Sequence, residues 1–235
     1  MSNAYFQFRQ FTIRHERCAM KVGTDGVLLG AWASLPAKGR VLDIGTGTGL
    51  LALMAAQRSP DVKVVAIDID ADAVCQAKAN VEASPFAGRV EVLHTALQEY
   101  DAPAASFDAV LCNPPFFEES LLPPDAGRTL ARHTTSLPFA ALVADAGKLL
   151  ADGGRFSVVL PTTSYDSFRL LCFAQGLLPE RLCYVRTTPT KAPKRVLATF
   201  LKGTPETFDE NTLILNEGQQ RSADYAALTR DFYLW

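Results

Sequence analysis

Asn113-Pro114-Pro115-Phe116 combines a primary amide, two carbonyls on rigid rings and an aromatic face. That set suits a planar amine. A nitrogen conjugated with a ring is a poor nucleophile, because its lone pair is delocalised. Two acceptors that take its N–H hydrogens help it rehybridise as a new bond forms. The Asn113 side-chain oxygen and the Pro114 carbonyl can be those acceptors. Proline has no N–H and a fixed φ, so it presents a carbonyl rigidly. Phe116 can stack on the flat face of a base. No strong general base is needed, since the nitrogen proton becomes acidic once substitution begins. The four residues specify an sp² nitrogen, not the molecule that carries it.

A second run, Asp43-Ile44-Gly45-Thr46-Gly47-Thr48-Gly49, lies between a predicted strand and a predicted helix. Glycines there let the backbone turn and approach a ligand closely. The spacing is G-x-G-x-G. The dinucleotide form G-x-G-x-x-G is not met, because Leu50 occupies the last position. No Lys follows as in a phosphate-binding P-loop. Asp68 stands 23 residues beyond Gly45, at a predicted strand end, where a carboxylate can accept ribose hydroxyls. Asp68 would serve NAD or S-adenosylmethionine equally. Asp43 separates them, because a carboxylate is repelled by a pyrophosphate and tolerated beside a sulfonium with an amino-acid tail.

The elements that must position these residues alternate. Strands are predicted over Arg40–Ile44, Val62–Ile67, Arg89–Leu93, Phe107–Cys112 and Arg155–Leu160. Helices are predicted over Leu50–Arg58, Ala71–Ala83, Leu137–Leu150 and Ser164–Gln175, the last closed by Gly176. The pattern implies an α/β fold with a mainly parallel sheet and helices on both faces. Two further strands, Arg181–Thr187 and Arg195–Leu201, are joined by a connection too short for a helix. They are therefore expected to pair as an antiparallel C-terminal hairpin, for seven strands in all. A terminal helix is read over Ser222–Phe232. Near the N-terminus, Gly23 and Gly26 are expected to bracket a turn, with Thr24 or Asp25 capping a helix that runs to Trp32. The division expected is an N-terminal lid, residues 1–38, over a catalytic domain, residues 39–235. Leu122 to Gly127 is the least regular stretch, and Ser2-Asn3-Ala4 has the look of a tag remnant.

The 235 residues are 48% hydrophobic and 20% charged, a foldable composition that excludes general disorder. No apolar run reaches the roughly 18 residues of a membrane span. Cysteines 18, 75, 112, 172 and 183 form no C-x-x-C pair, so disulfide frameworks and zinc sites are not expected. Reduced thiols, no metal and a cytoplasmic location are the expectations. The net charge is −2, yet residues 181–202 carry six basic residues and no acid. Residues 5–38 are also net positive, and the stretch between is acidic. Lys191, Lys194 and Arg195 lie on a turn, and Arg9, Arg14, Arg17 and Lys21 form the other basic segment; both can reach phosphates.

The glycine run resembles that of the class I S-adenosylmethionine-dependent methyltransferases, with a Rossmann-like fold. Asn113 to Phe116 resembles the N-P-P-[YF] motif of amino-methyltransferases. The string Lys21-Val22-Gly23-Thr24-Asp25-Gly26-Val27-Leu28-Leu29-Gly30-Ala31-Trp32 narrows this. So do Ala131-Arg132-His133-Thr134-Thr135, Arg195-Val196-Leu197-Ala198 and the ending around Tyr225 and Phe232-Tyr233-Leu234. Together they are similar to the bacterial tRNA1(Val) adenine-37 N6-methyltransferase family, from Phe6 to Leu234. The resemblance implies S-adenosylmethionine as donor and a tRNA anticodon-loop adenine as acceptor; a monomer with no membrane attachment is the further expectation. It implies Lys21, Thr24, Asp25, Asp43, Gly45, Thr46, Gly47, Asp68, Ile69, Ala96, Leu97 and Asn113 for the donor. It implies Asn113, Pro114, Pro115 and Phe116 for catalysis, and Arg14, Arg17, Arg132, His133, Lys191, Lys194 and Arg195 for RNA. One departure stands out: Ala96 occupies a place where many relatives carry an acid. Rival readings are a methyltransferase for ribosomal RNA or a protein glutamine, a non-catalytic RNA binder, and an NAD-dependent oxidoreductase.

Overall fold

A computed structural model of the chain describes residues 4–18, 21–115 and 137–234. Phe116, Arg132, His133 and the stretch around Leu122 to Gly127 lie outside them. The centre is an eight-stranded sheet built from β3 (Lys38–Ile44), β4 (Asp61–Asp68), β5 (Val90–His94), β6 (Phe107–Cys112), β7 (Leu150–Pro161), β8 (Leu177–Arg186), β9 (Arg195–Lys202) and β10 (Asp209–Ile214). Their order is β10-β8-β9-β7-β6-β3-β4-β5. Strands β3 to β7 pair in parallel, and β9 enters antiparallel between β7 and β8. The hairpin is as expected, with β8 and β9 paired from Leu177↔Lys202 to Val185↔Arg195.

β10 is an eighth strand, one more than the seven expected. It pairs parallel with β8 at the sheet edge. Its sequence, Asp-Glu-Asn-Thr-Leu-Ile, buries only Leu213. An edge strand needs little apolar surface, and charges there discourage pairing with another chain. Polar composition therefore hid it. Two short antiparallel pairs were also not expected: β1 (Tyr5–Gln7) with β2 (Thr12–Arg14), and β11 (Asn216–Glu217) with β12 (Gln220–Arg221).

Helices cover both faces of the sheet. Helix α1 (Thr24–Trp32), α2 (Leu50–Arg58), α3 (Ala71–Glu82) and α6 (Ala223–Thr229) share one apolar cluster, with Val41, Val64 and Ala66 beneath them. Helices α4 (Phe139–Leu149) and α5 (Tyr165–Ala174) cover the other face, over Leu42, Ile44, Val65 and Ile67. The period of two along β3 sends Val41 and Asp43 toward α2, and Leu42 and Ile44 the other way. The N-terminal aromatics are core: Phe8, Phe11 and Ile13 are buried, and Phe8 stacks on Tyr233 near the other end of the chain.

Helix α1 begins differently from expectation. Gly23, in extended conformation, is its N-cap, and no side chain caps its first turn; Thr24 and Asp25 lie inside the helix. Gly26 brackets no turn but packs against Leu50. At the other end, Arg58 donates to the carbonyls of Gly30 and Ala33, and Arg181 donates to that of Trp32 while lying over its ring. Cations suit a helix C-terminus, where the unpaired carbonyls concentrate negative charge.

Helices α1 and α2 touch through Gly30, where an added Cβ would lie 2.4 Å from Met54 Sδ and 3.1 Å from Met54 Cβ. Alanine gains about 1 kcal/mol in helix propensity, whereas overpacking a core costs about 1–3 kcal/mol. Gly30→Ala is therefore expected to lower the melting temperature. In Gly30→Ala/Met54→Ala the loss should be smaller than the sum of the single losses; strict additivity would contradict the contact.

Candidate active site

The run Gly45 to Gly49 links β3 to α2 at the C-terminal edge of the parallel strands. Gly45 has φ +68° and Gly47 φ +55°, in the left-handed region that a side chain disfavours. Nothing lies within 4 Å of where a Cβ would stand on either one. Conformation, not crowding, calls for glycine here, and the loop's outer face is left bare. Its amides tie it to the next strand. The N–H groups of Gly45 and Thr46 donate to the Ile67 carbonyl, and Gly47 N–H donates to Asp68 Oδ2 at 2.8 Å.

Asp43 sits behind this loop, fully buried. Gly49 is the N-cap of α2 and has no side chain to offer. Asp43 Oδ2 takes over, accepting from the Ala52 amide at 3.1 Å and from Thr46 Oγ1 at 2.6 Å. One carboxylate thus joins strand, loop and helix start. Asp43 lines neither cavity and stands one layer behind Thr46, which borders the larger one. Its Oδ1 is buried with no hydrogen-bond partner among the described residues. Burial raises its pKa to about 7, outweighing the two hydrogen bonds that lower it.

Two cavities meet at the loop. One, of about 300 Å³, has apolar walls from Ile67, Ala73, Leu97 and Leu137, with Asp68 at its side. The other, of about 730 Å³, is lined by Lys21, Thr24, Asp25, Thr46 and Arg195. Gly45, Gly47, Asn113, Pro114 and Pro115 border both. The fold therefore brings the glycine run and the Asn-Pro-Pro run, 64 residues apart from Gly49 to Asn113 in the chain, to a single cleft. Ile69, Ala96 and Leu97 border the smaller cavity. Ala96, the residue that departs from the family pattern, opens a short turn over Leu97–Glu99.

Several lining residues were not anticipated. Cys18, Asp70 and Leu137 border the smaller cavity. Burial, with Asp68, Asp70 and Asp72 adding to it, pushes the Cys18 thiol up to about 11. Gly26 borders the larger cavity, and a Cβ there would lie 3.8 Å from Asn113 Nδ2. Nothing in the local sequence of Gly26 pointed to Asn113, since the two are 87 residues apart.

The cations divide. Lys191 and Lys194 are exposed on the β8–β9 connection. Arg195 donates from Nε to Asp25 Oδ2 at 2.8 Å, so a residue assigned to RNA and one assigned to the donor bind each other. Arg181, Arg186 and Lys202 bond backbone carbonyls. On the opposite flank, Arg14 and Arg17 are exposed beside α3, where Arg17 Nη1 donates to Cys75 Sγ. Among the described residues no three His, Cys, Asp or Glu side chains gather as a metal site, and no helix is long and apolar enough to cross a membrane.

Residues 22–170 match the family described as the methyltransferase small domain. A curated tRNA1(Val) (adenine(37)-N6)-methyltransferase of Bacteroides thetaiotaomicron is 46% identical over 235 residues, covering 100% of this chain and 99% of its own. The chain belongs to this family. A tRNA1(Val) (adenine(37)-N6)-methyltransferase of Pseudoalteromonas translucida is 44% identical over 97% of the chain and 98% of its own. The crystal structure of a predicted O-methyltransferase from Agrobacterium tumefaciens superposes with a TM-score of 0.70 at 20% identity, covering 88% of this chain and 96% of that one, and shares the fold. The methyltransferase small domain takes in Asp43, Asp68 and Asn113, and ends before β8 to β10 and Arg195.

Asp43 is expected to make the stability of the fold decrease as pH rises. A carboxyl whose folded pKa exceeds its unfolded value of about 4 stabilises the fold at low pH and loses that contribution as pH rises through about 7. The stability of the wild type relative to Asp43→Asn should fall by an amount on the order of a few kcal/mol between pH 4 and pH 8, then level off. Urea unfolding across that range measures it; a difference that grows with pH would contradict the assignment.

Proposed function

We propose that this enzyme transfers a methyl group from S-adenosylmethionine to the exocyclic N6 of adenine 37 in tRNA1(Val), acting as a cytoplasmic monomer. The observation that carries the reading is the place of Asn113-Pro114-Pro115. These residues border both the apolar cavity beside Asp68 and the wider cavity beside Lys21. The residues present fit the donor. Ile69, Ala96 and Leu97 would hold the adenine, Asp68 the ribose hydroxyls, and the loop at Gly45, Thr46 and Gly47 with Lys21 and Thr24 the amino-acid tail. Bound there, S-adenosylmethionine supplies a methyl group on a positively charged sulfur.

The chain's own residues do the rest. Asn113 Oδ1 and the Pro114 carbonyl accept the two N–H hydrogens of the adenine amine and draw its lone pair out of conjugation. Phe116 stacks on the base. An anticodon-loop adenine is already exposed, so bringing it into the cleft costs only a few kcal/mol. The Cys112 thiol is not a proton acceptor: burial first, then Asp43 and Asp68, hold it well above its ordinary value. The amine proton is released to water once the nitrogen becomes cationic. Lys191 and Lys194 on one flank, and Arg14 and Arg17 on the other, meet the RNA backbone.

The test is transfer of labelled methyl from S-adenosylmethionine to unmodified tRNA1(Val), with the modified nucleoside identified. N6-methyladenosine at position 37 is expected; label appearing only with ribosomal RNA or a protein glutamine would replace the acceptor. Asn113→Ala should lose at least 100-fold in turnover, on the order of 3 kcal/mol of transition-state stabilisation, and keep its calorimetric affinity for the donor. Asp68→Ala should do the reverse, weakening donor binding first.

Lys191→Ala/Lys194→Ala should weaken RNA binding and flatten its salt dependence, by roughly 0.7–0.9 in logarithmic slope for each phosphate left unneutralised. Filter binding between 50 and 200 mM salt reads this directly. An unchanged slope would move the RNA path off the β8–β9 connection.

A further inference from the structure

We propose that Asp25 and Arg195 are a positioning pair, which holds the first turn of α1 against Asn113. The inference rests on the reading of Asn113 as the amine acceptor. It gives Asp25 and Arg195 a shared task in place of separate contacts with donor and RNA.

Four observations converge on it. Arg195 Nε donates to Asp25 Oδ2 at 2.8 Å, with both side chains about 30% exposed. A charge-assisted bond this short, partly shielded from water, is among the stronger polar contacts a surface can make. Second, α1 starts at Gly23 with no side-chain cap, so its first turn has no local anchor of that kind. Third, the residue after Asp25 is Gly26, which borders the larger cavity together with Asn113. A Cβ on Gly26 would stand 3.0 Å from Leu50 Cδ2 and 3.8 Å from Asn113 Nδ2. The first turn of α1 and the Asn113 amide therefore lie side by side at one cavity, with room for little more than a methyl group between Gly26 and the amide nitrogen. Fourth, Arg195 is itself held. It opens β9 opposite Pro161, the last residue of β7. Thr162 donates from Oγ1 to the Pro193 carbonyl and from its N–H to that of Lys194.

The path runs from the end of β7 through Arg195 and Asp25 to Gly26, which borders the same cavity as Asn113. An RNA phosphate at Arg195 would lie beside the Asp25 carboxylate and be repelled by it. The pair is close to neutral as a unit, a poor phosphate site and a good tether. If the tether is cut, the turn of α1 beside the amide loosens, and the chemical step suffers before either ligand's affinity does.

The experiment compares wild type, Asp25→Asn, Arg195→Gln, Arg195→Lys and the Asp25→Asn/Arg195→Gln double variant. Steady-state kinetics on unmodified tRNA are paired with calorimetry of S-adenosylmethionine. The Asn113 side-chain amide is followed by nuclear magnetic resonance, identified by its loss in Asn113→Ala. Asp25→Asn and Arg195→Gln should each lower kcat by about 5- to 20-fold, about 1–2 kcal/mol, with KM for tRNA and donor affinity within about twofold. The double variant should be no worse than either single one, as for two ends of one interaction. Arg195→Lys should recover much of kcat, and both neutral variants should displace the same amide resonances. A raised KM for tRNA in Arg195→Gln alone, multiplicative losses or an unmoved amide would overturn the pair. If the wild type fails to methylate tRNA, the proposed function falls, and the amide comparison still decides whether the pair positions Asn113.

Discussion

The carboxylate of Asp43 is the point on which the site is built. It lies under the glycine loop, fully buried, and joins the end of β3 to Thr46 in the loop and to the Ala52 amide in α2. A buried carboxylate is costly to desolvate, and here the cost shows as a pKa raised to about 7. What offsets it is the removal of a worse problem. A helix that starts at a left-handed glycine has no side chain with which to cap its own first amides, and the strand beneath supplies the acceptor instead. The loop can then stay bare, since its shape is held from behind. A bare loop of left-handed glycines is what lets a ligand lie against backbone.

The sheet order places everything else around that loop. Parallel strands β3, β4 and β6 end at the same edge, so Asp43, Asp68 and Asn113 come together from three separate stretches of chain. The antiparallel entry of β9 brings the start of that strand, Arg195, to the same edge where β7 ends. A parallel β9 would have put Arg195 at the far side of the sheet. Helix α1 then closes the arrangement, because glycines at 26 and 30 allow its backbone close to Leu50 and Met54 of α2.

Charge illustrates how a local reading changes once partners are known. The basic stretch 181–202 reads as one positive patch along the chain. In the fold, Arg181, Arg186, Arg195 and Lys202 bond carbonyls or a carboxylate, several of them at helix ends or strand junctions. Lys191 and Lys194 remain outward on a turn. Guanidinium groups are well suited to such internal work, with planar donors that reach several carbonyls at once. A count of cations therefore overstates the surface a phosphate backbone would meet.

The alternation of strands and helices, the hairpin at the end of the sheet and the two chemical motifs were all legible in the linear chain. Each is a short-range signal: a period of two, a glycine spacing, a proline run next to an amide. The family resemblance was legible for the same reason, since it rests on contiguous strings such as Lys21 to Trp32. The polar edge strand β10 was not, because pairing with β8 asks almost nothing of its side chains. Nor were the true cap of α1 at Gly23, the retreat of Asp43 behind the loop, or the bond between Asp25 and Arg195. The last depends on a residue met 170 positions away, and the others on how the backbone turns at the end of β3 and the start of α1. Residue type and spacing limit what a group can do; the partner across the fold selects which of those things it does.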